Sequence, residues 1–228
     1  MAAASATSDY PRGNGTGGGG WTGADRALLL GLIVFALLRT ASLIFSPLEL
    51  GVDEAQYWLW STGFDFGYYT KPPLTSWIIG LSHSLFGHHE WAVRLPAPWL
   101  HLATSLVLWR AADWLAGPAA GRIAAMIWMT LPSIALGSFV ISTDTPLLLC
   151  WSAGVLALVG VLTGRLRERR GMLLAGGAFG AAMLAKYAAI YGLAGLALFV
   201  LATSVLYRDT ERQKVIGWRG LGLFALGM

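Results

Sequence analysis

Long apolar stretches, separated by short polar or basic segments, dominate the chain from residue 27 onwards. A helix needs about 20 mainly apolar residues to cross the hydrocarbon core of a membrane, and most of the stretches approach that length. They run over 27–48, 74–86, 91–109, 122–141, 145–163, 171–187, 188–207 and from 218 onwards. The pattern predicts one helix for each stretch, and therefore an all-α, polytopic transmembrane helix bundle.

The stretch over 74–86 is shorter than the others, because Pro73 and Gly87 leave only 13 residues between them. If it crossed the membrane, the arginine-rich loop over 164–170 would lie outside, although basic loops normally stay in the cytoplasm. If it lies in the membrane interface, every basic loop falls inside. The distribution of charge therefore predicts an interfacial helix at 74–86 and a cytoplasmic N-terminus.

This topology gives about six full spans, a truncated last span, and an outer-face loop that carries interfacial helical structure. The region 171–207 is too long for one helix and has basic flanks, which predicts a hairpin. Within it, Gly176 and Gly180 form a small-xxx-small pair that is typical of close helix packing. We expect a disordered cytoplasmic tail at 1–24 and a membrane-embedded domain at 25–228, which the unfinished last stretch suggests is a truncated product or a fragment.

Composition supports the membrane class, since 56% of the residues are hydrophobic and only 12% are charged. Soluble domains carry about 25% charged residues. The net charge of +4 does not indicate nucleic acid, because the arginines lie between apolar stretches, where membrane topology accounts for them. The single cysteine, Cys150, excludes an intrachain disulfide.

The predicted topology brings ionisable side chains from three separate loops to the outer surface of the membrane. They are Asp53, Glu54, Lys71, Asp144 and Lys186. Charges are unfavourable near lipid and often have a function there. Lysines can bind a phosphate, and a carboxylate can act as general base on an acceptor hydroxyl. A phosphate leaving group near lipid suggests a sugar carried on a polyprenyl phosphate.

Simpler roles stay open for the same side chains. Asp144 stands where the N-cap of a helix is expected. Lys186 can extend from a helix end toward the membrane interface. Glu54 can cap or solvate the helix to which it belongs.

Two groups of side chains contain residue types that can bind a metal ion. Carboxylates suit hard cations, so a divalent ion held by Asp53, Glu54 and Asp144 is an alternative to a site that needs no cofactor. The spacing of three histidines fits no strong ligand pattern and favours a solvated loop. They are His83, His88 and His89.

Two other classes of protein compete with an enzyme. A transporter or flippase subunit for a lipid-linked sugar would carry charges near the middle of its spans, where ions or head groups pass. Here only Arg39 and His101 lie clearly inside a predicted span. An inactive fragment is the second alternative.

Five short motifs between residues 53 and 186 occur in a characteristic order and spacing. They are Asp53-Glu54 with Tyr57, Tyr69-Thr70-Lys71-Pro72-Pro73-Leu74, Glu90-Trp91-Ala92-Val93-Arg94-Leu95-Pro96, Ser142-Thr143-Asp144-Thr145-Pro146 and Leu184-Ala185-Lys186. With these motifs the chain resembles the lipid-linked-sugar-dependent membrane glycosyltransferases of the GT-C type. The resemblance is strongest to aminoarabinose-to-lipid A transferases and protein O-mannosyltransferases.

The resemblance implies roles for individual residues. Asp53 would be the main catalytic carboxylate, which activates the acceptor, and Asp144 a second acid. Lys71 and Lys186 would bind the phosphate of the carrier lipid, and Arg94 is a further candidate for the same site. The remaining candidates for substrate binding are Glu54 and Tyr69.

The resemblance also implies a reaction and a location. A polyprenyl-phosphate sugar would donate a hexosyl or pentosyl group, with inversion, to a hydroxyl or phosphate acceptor on lipid A, another glycan or a protein. The enzyme would be a multi-pass protein of the cytoplasmic membrane, surrounded by membrane lipids, with its active site on the periplasmic face. Members of the type carry further helices beyond the length of this chain.

Overall fold

A computed structural model describes residues 21–206 and 218–228 of the chain. Within those ranges every regular element is helical, as predicted. The helices are α1 (Gly23–Ile44), α2 (Val52–Ser61), α3 (Leu74–Phe86), α4 (Glu90–Arg94), α5 (Pro96–Ala116), α6 (Pro118–Thr130), α7 (Pro132–Gly137), α8 (Asp144–Leu162), α9 (Glu168–Ala185), α10 (Ile190–Leu206) and α11 (Trp218–Gly227). A 3₁₀ turn at Tyr187–Ala189 separates α9 from α10.

The first helix begins earlier than the apolar pattern predicts. Thr22 and Asp25 form a capping box, in which the Asp25 backbone N–H donates to Thr22 Oγ1 and the Thr22 N–H donates to Asp25 Oδ2. These bonds satisfy amide groups that have no partner inside the helix. Residues 1–20 of the predicted tail at 1–24 lie outside the described residues. The last two residues of that predicted tail, 23 and 24, belong to α1.

The single helix predicted over 122–141 is wrong, because the chain leaves the helical conformation at Leu131 (φ −58°, ψ 132°). Pro132 follows directly, and a proline disfavours the helical conformation in the residue before it. It also supplies no amide hydrogen to continue the helical hydrogen bonding. The segment is therefore split into α6 and the short α7, and α8 begins only at Asp144.

The number of predicted spans is only partly supported. By length and composition, two of the described helices, α1 and α8, are long and apolar enough to cross a membrane. Two shorter apolar helices cover 74–86 and 187–199. The short helix over 74–86 agrees with the boundaries predicted from sequence, while the count of six full spans stays a prediction.

A buried arginine connects α1 to the break between α6 and α7. Arg39 donates to the Met129 carbonyl oxygen at 2.7 Å and to Ser138 Oγ at 3.0 Å. Met129 lies in the last turn of α6, where carbonyl groups have no donor within the helix. The guanidinium therefore stabilises the break and fixes the segment that leads to α8.

Small residues allow α8, α9 and α11 to pack closely. A Cβ atom on Gly180 would lie 2.9 Å from the Met228 carbonyl oxygen, and one on Gly176 would collide with Phe224. The predicted packing role of this glycine pair is confirmed. On the other side of α9, Phe179 packs directly over Gly154 of α8.

Replacing Gly154 with alanine is expected to destabilise the bundle. The new Cβ would lie 2.7 Å from Phe179 Cε2, and overpacking of this kind typically removes about 1–3 kcal/mol of stability. The midpoint of thermal unfolding in detergent measures the change. Gly195→Ala is the matched control, because nothing lies within 4 Å of its added methyl group; equal midpoints for the two variants would contradict the packing described.

Candidate active site at the start of α8

Apolar packing brings together the turn before α3, the start of α8 and the end of α9. Leu74 packs against a buried cluster that contains Leu147 of α8 and Ala182 and Ala185 of α9. Leu74 follows the Lys71 turn by three residues, and Ala185 immediately precedes Lys186. Residues from three separate loops therefore lie around one end of the bundle, as the predicted topology required.

Asp144 and Lys186 form an open ion pair at this end. Lys186 Nζ donates to Asp144 Oδ1 at 2.7 Å, and the two side chains are 52% and 38% exposed for Asp144 and Lys186 respectively. Asp144 is the first residue of α8, and the N-cap position belongs to Thr143. The carboxylate thus contacts a lysine from another helix, and capping is not its role here. Exposed pairs of this kind contribute only about 0–1 kcal/mol.

A buried tyrosine on α2 senses the charge of two of the predicted acids. Tyr57 is 2% exposed and belongs to α2, one turn after Asp53. Burial raises the pKa of its phenol, and the negative charges of Asp53 and Asp144 raise it further, while a hydrogen bond with Thr143 opposes them. The hydrogen bond with Thr143 places Tyr57, and the helix that also carries Asp53, beside the start of α8.

Glu54 and Arg94 are buried together and bind each other. Arg94 Nε donates to Glu54 Oε1 at 2.9 Å and Nη2 donates to Oε2 at 2.7 Å. The pair raises the pKa of the guanidinium, chiefly through this hydrogen bonding. Arg94 also donates to the carbonyl oxygens of Leu48 and Glu49 at 2.8 Å each.

Glu54 has no acceptor position left for a ligand. Besides Arg94, it accepts from the backbone N–H groups of Gly51 at 2.9 Å and Ile141 at 3.0 Å. These four hydrogen bonds fill the four acceptor positions of a carboxylate. The predicted cap on α2 is present, but the side chain is buried and not solvated. Glu54 and Arg94 connect the start of α2 to the segment that precedes Asp144.

Lys71 and Tyr69 lie in the exposed turn before α3. The Tyr68 N–H donates to the Lys71 carbonyl oxygen at 3.2 Å, and the Tyr68 ring stacks on Trp60 at 5.0 Å. Lys71 is half-buried, and the two prolines that follow it are buried. Tyr69 is 99% exposed. The turn is thus held by its neighbours, while both candidate side chains stay accessible.

Within residues 21–206 and 218–228, neither Asp53 nor Lys71 has an ion-pair partner within 4.0 Å. In the same ranges no three His, Cys, Asp or Glu side chains form a group that could hold a metal ion. The divalent ion suggested for Asp53, Glu54 and Asp144 stays a prediction.

The histidines connect α2 to α3, which carries His83, and to the turn that follows it, which carries His88. Ser61 Oγ donates to the Trp58 carbonyl oxygen and lies 2.9 Å from His83 Nε2, so that nitrogen is the donor. Trp58 Nε1 donates to His88 Nδ1 at 3.2 Å, and the two imidazole rings lie 4.3 Å apart. The histidines predicted in a solvated loop thus form a specific contact, with His88 and His89 exposed.

Acid is expected to weaken this contact. Burial, and then the charge of His88, lower the pKa of His83 below its usual 6.5. The folded state therefore favours the neutral ring, and stability is full above the usual pKa and falls as the pH drops below it. The midpoint of thermal unfolding should fall as the pH drops from about 7.5 to 5.5. The fall should be smaller in His83→Gln. The same dependence of the midpoint on pH in both proteins would contradict this prediction.

The fold is similar to that of ArnT from Cupriavidus metallidurans, whose crystal structure in the apo state superposes with a TM-score of 0.71 over 90% of this chain, at 20% identity. Residues 70–227 match the family described as dolichyl-phosphate-mannose-protein mannosyltransferase, and the chain belongs to that family. The resemblance to the GT-C type is confirmed.

A curated relative adds to this assignment. The chain is 37% identical over 193 residues, or 82% of its length, to lipid A galacturonosyltransferase RgtD of Rhizobium johnstonii. It covers 40% of that relative and 41% of the ArnT chain. The chain thus spans about two fifths of the length of the proteins it resembles.

Proposed function

We propose that the chain carries the donor-binding and catalytic residues of a membrane glycosyltransferase that takes a sugar from a polyprenyl phosphate. The reaction takes place at the outer face of the cytoplasmic membrane. The acceptor is a hydroxyl or phosphate group of lipid A or a related glycan. The family match and the RgtD likeness support this class of reaction.

The observation that carries the proposal is the convergence of charged groups at the start of α8. Lys186 reaches Asp144 at 2.7 Å, and Tyr57, one turn after Asp53, forms a hydrogen bond with Thr143, the residue before Asp144. Lys71 stands in a turn that apolar packing holds beside the end of α9. Cations for a phosphate and a base for an acceptor are thus available at one accessible place.

A single displacement accounts for these roles. Asp53, which is exposed and has no ion-pair partner among the described residues, accepts the proton of the acceptor hydroxyl. The acceptor oxygen forms a bond to the anomeric carbon while the bond from that carbon to the phosphate oxygen breaks. Polyprenyl phosphate leaves with the bonding electrons, and Lys71 and Lys186 stabilise the charge that develops on it.

Asp144 has a different role in the proposal. Its contact with Lys186 holds the ammonium group in place before the donor binds, and the phosphate can then share or replace the carboxylate as partner. Glu54 and Arg94 act as positioning residues, because they fix Ile141 relative to the start of α2. A divalent ion is not needed for these steps.

A transporter or flippase for the same lipid-linked sugar is the second candidate. Arg39 is a charge buried within a predicted span, as such a protein requires. However, it donates hydrogen bonds to Met129 and Ser138, and these bonds stabilise the packing of α1 against the segment around α7. The ionisable groups with exposed side chains lie instead at the helix ends.

Lys71→Met and Lys186→Met test the donor site. Each variant is expected to raise the KM for the lipid-linked sugar about tenfold or more, because a hydrogen bond to a charged group contributes about 1.5–3 kcal/mol. Transfer of radiolabelled sugar is measured in membranes after expression from the native locus. Arg110→Met is the control, since this arginine is exposed at the opposite end of α5.

The assay also separates the candidates. Unchanged kinetics in both lysine variants would reject the site. Movement of the lipid-linked sugar across vesicles, without formation of a glycosylated acceptor, would favour the transporter.

A further inference from the structure

An apolar groove lies between the end of α5, the second half of α8 and the first half of α9. Its volume is about 530 Å³, within the range of about 300–1,000 Å³ of ligand pockets. Side chains without charge line it throughout. They include Trp114, Ala153, Leu156, Leu166, Leu174 and Ala178.

With α8 crossing the membrane, as its length and composition allow, the groove lies in one half of the membrane thickness. Ala153 lies nine residues before Leu162, the last residue of α8, so a rise of 1.5 Å per residue places it about 14 Å from the end of the helix. The hydrocarbon core is about 30 Å thick. The groove therefore extends from the end of α8 that precedes the arginine-rich turn to about the middle of the bilayer.

The mouth of the groove has a fixed geometry. The Leu166 N–H donates to the Gly160 carbonyl oxygen at 2.8 Å. A Cβ atom added to Gly160 would lie 2.7 Å from the Leu166 side chain, so this side chain packs directly against the glycine. Leu166 is thus held against α8, and Arg165 and Arg167 flank it. Arg169 follows in the first turn of α9.

The basic side chains at the mouth are accessible and lack a counter-charge. Arg165, Arg167, Arg169 and Arg170 are all exposed, and in the part of the chain that the structure describes none has a carboxylate within 4.0 Å. Glu168 is the one acid in this turn. An apolar groove with a positively charged mouth is complementary to a molecule with an apolar tail and an anionic head.

We infer that the groove holds an acyl chain of an anionic phospholipid from the cytoplasmic leaflet, with its phosphate at the arginines. The carrier lipid does not fit this site, because its phosphate is proposed to bind at the opposite end of α8. The inference depends on the orientation given under the proposed function. It does not depend on the transfer reaction.

Native mass spectrometry of the purified chain tests this inference. The detergent-solubilised protein is mixed with phosphatidylglycerol or with phosphatidylcholine that has the same acyl chains. The wild-type chain is expected to retain one phosphatidylglycerol in preference to phosphatidylcholine. Arg165→Gln with Arg167→Gln should lower that preference at least fivefold, since each basic residue near the head group contributes about fivefold.

A second pair of substitutions fills the groove. Ala153→Leu with Ala178→Leu is expected to reduce the occupancy of both lipids. The controls are Arg26→Gln, at an exposed arginine on α1, and Val155→Leu, on α8 outside the groove. Both controls should retain phosphatidylglycerol like the wild-type chain.

Three results would overturn the inference. They are equal retention of the two lipids by the wild-type chain, an unchanged preference in the arginine variant, and a dimer whose interface the filled groove abolishes. The arginine substitutions are at exposed positions and do not alter the packing of the groove. If the groove-filled variant does not fold, the lipid preference of the arginine variant alone tests the inference. Loss of sugar transfer with intact lipid retention would reject the proposed function alone.

Discussion

Asp53→Asn is expected to abolish sugar transfer, with kcat reduced by about 100-fold or more. Asparagine has nearly the same shape but cannot accept the acceptor proton. The side chain is exposed and has no ion-pair partner within the described ranges, so folding should not change. Transfer from the lipid-linked sugar in membranes measures kcat, and the unfolding midpoint confirms that the variant is folded.

Asp65→Asn is the matched control for this experiment. Asp65 lies in the loop that follows α2 and is exposed. Its backbone carbonyl oxygen accepts a hydrogen bond from Trp77 Nε1 at 2.9 Å, and the substitution leaves this bond in place. Its variant should keep wild-type turnover. Wild-type turnover in Asp53→Asn would remove the catalytic base from the proposed mechanism.

Glu54→Gln is expected to cause the largest loss of stability. It leaves the guanidinium of Arg94 buried without its counter-charge, and breaking a buried pair in this way typically removes about 3–5 kcal/mol. For a chain of this size, each kcal/mol lowers the unfolding midpoint by about 2–4 °C. Thermal unfolding in detergent should therefore show a fall of about 6–20 °C.

A double variant tests whether the effect belongs to the pair. Glu54→Met with Arg94→Met leaves no unpaired charge, so its loss of stability should be smaller than the sum of the two single losses. Additive losses would show that the two side chains act independently. Transfer below the unfolding midpoint should also decrease, because Glu54 holds Ile141 close to α2.

The helices could largely be predicted from the sequence, because apolar stretches and prolines mark their positions directly. The α3 boundaries agree with the prediction, since Pro73 and Gly87 end the stretch on both sides. The break at Pro132 was missed because continuous apolar residues on both sides suggested a single span. The rule against a helical residue before proline was the available indication.

The site was predicted as a shared surface but not as a set of contacts. Charge distribution placed Asp144 and Lys186 on the same face, yet only three-dimensional packing brings their atoms to 2.7 Å. The Glu54–Arg94 pair joins residues 40 positions apart, and no local pattern specifies such a partner. Tyr57 was detectable, because it follows Asp53 by four residues and so shares its helix face.

The position of Arg39 has a consequence for the order in which the chain is assembled. Its partners Met129 and Ser138 follow it by 90 and 99 residues. During synthesis the guanidinium therefore enters the bilayer well before either partner has left the ribosome. Until then its available partners are the ring of Phe35 on the same helix, 4.4 Å from the guanidinium carbon, and water or lipid head groups. We therefore expect α1 to reach its final position only after α6 and α7 have been synthesised.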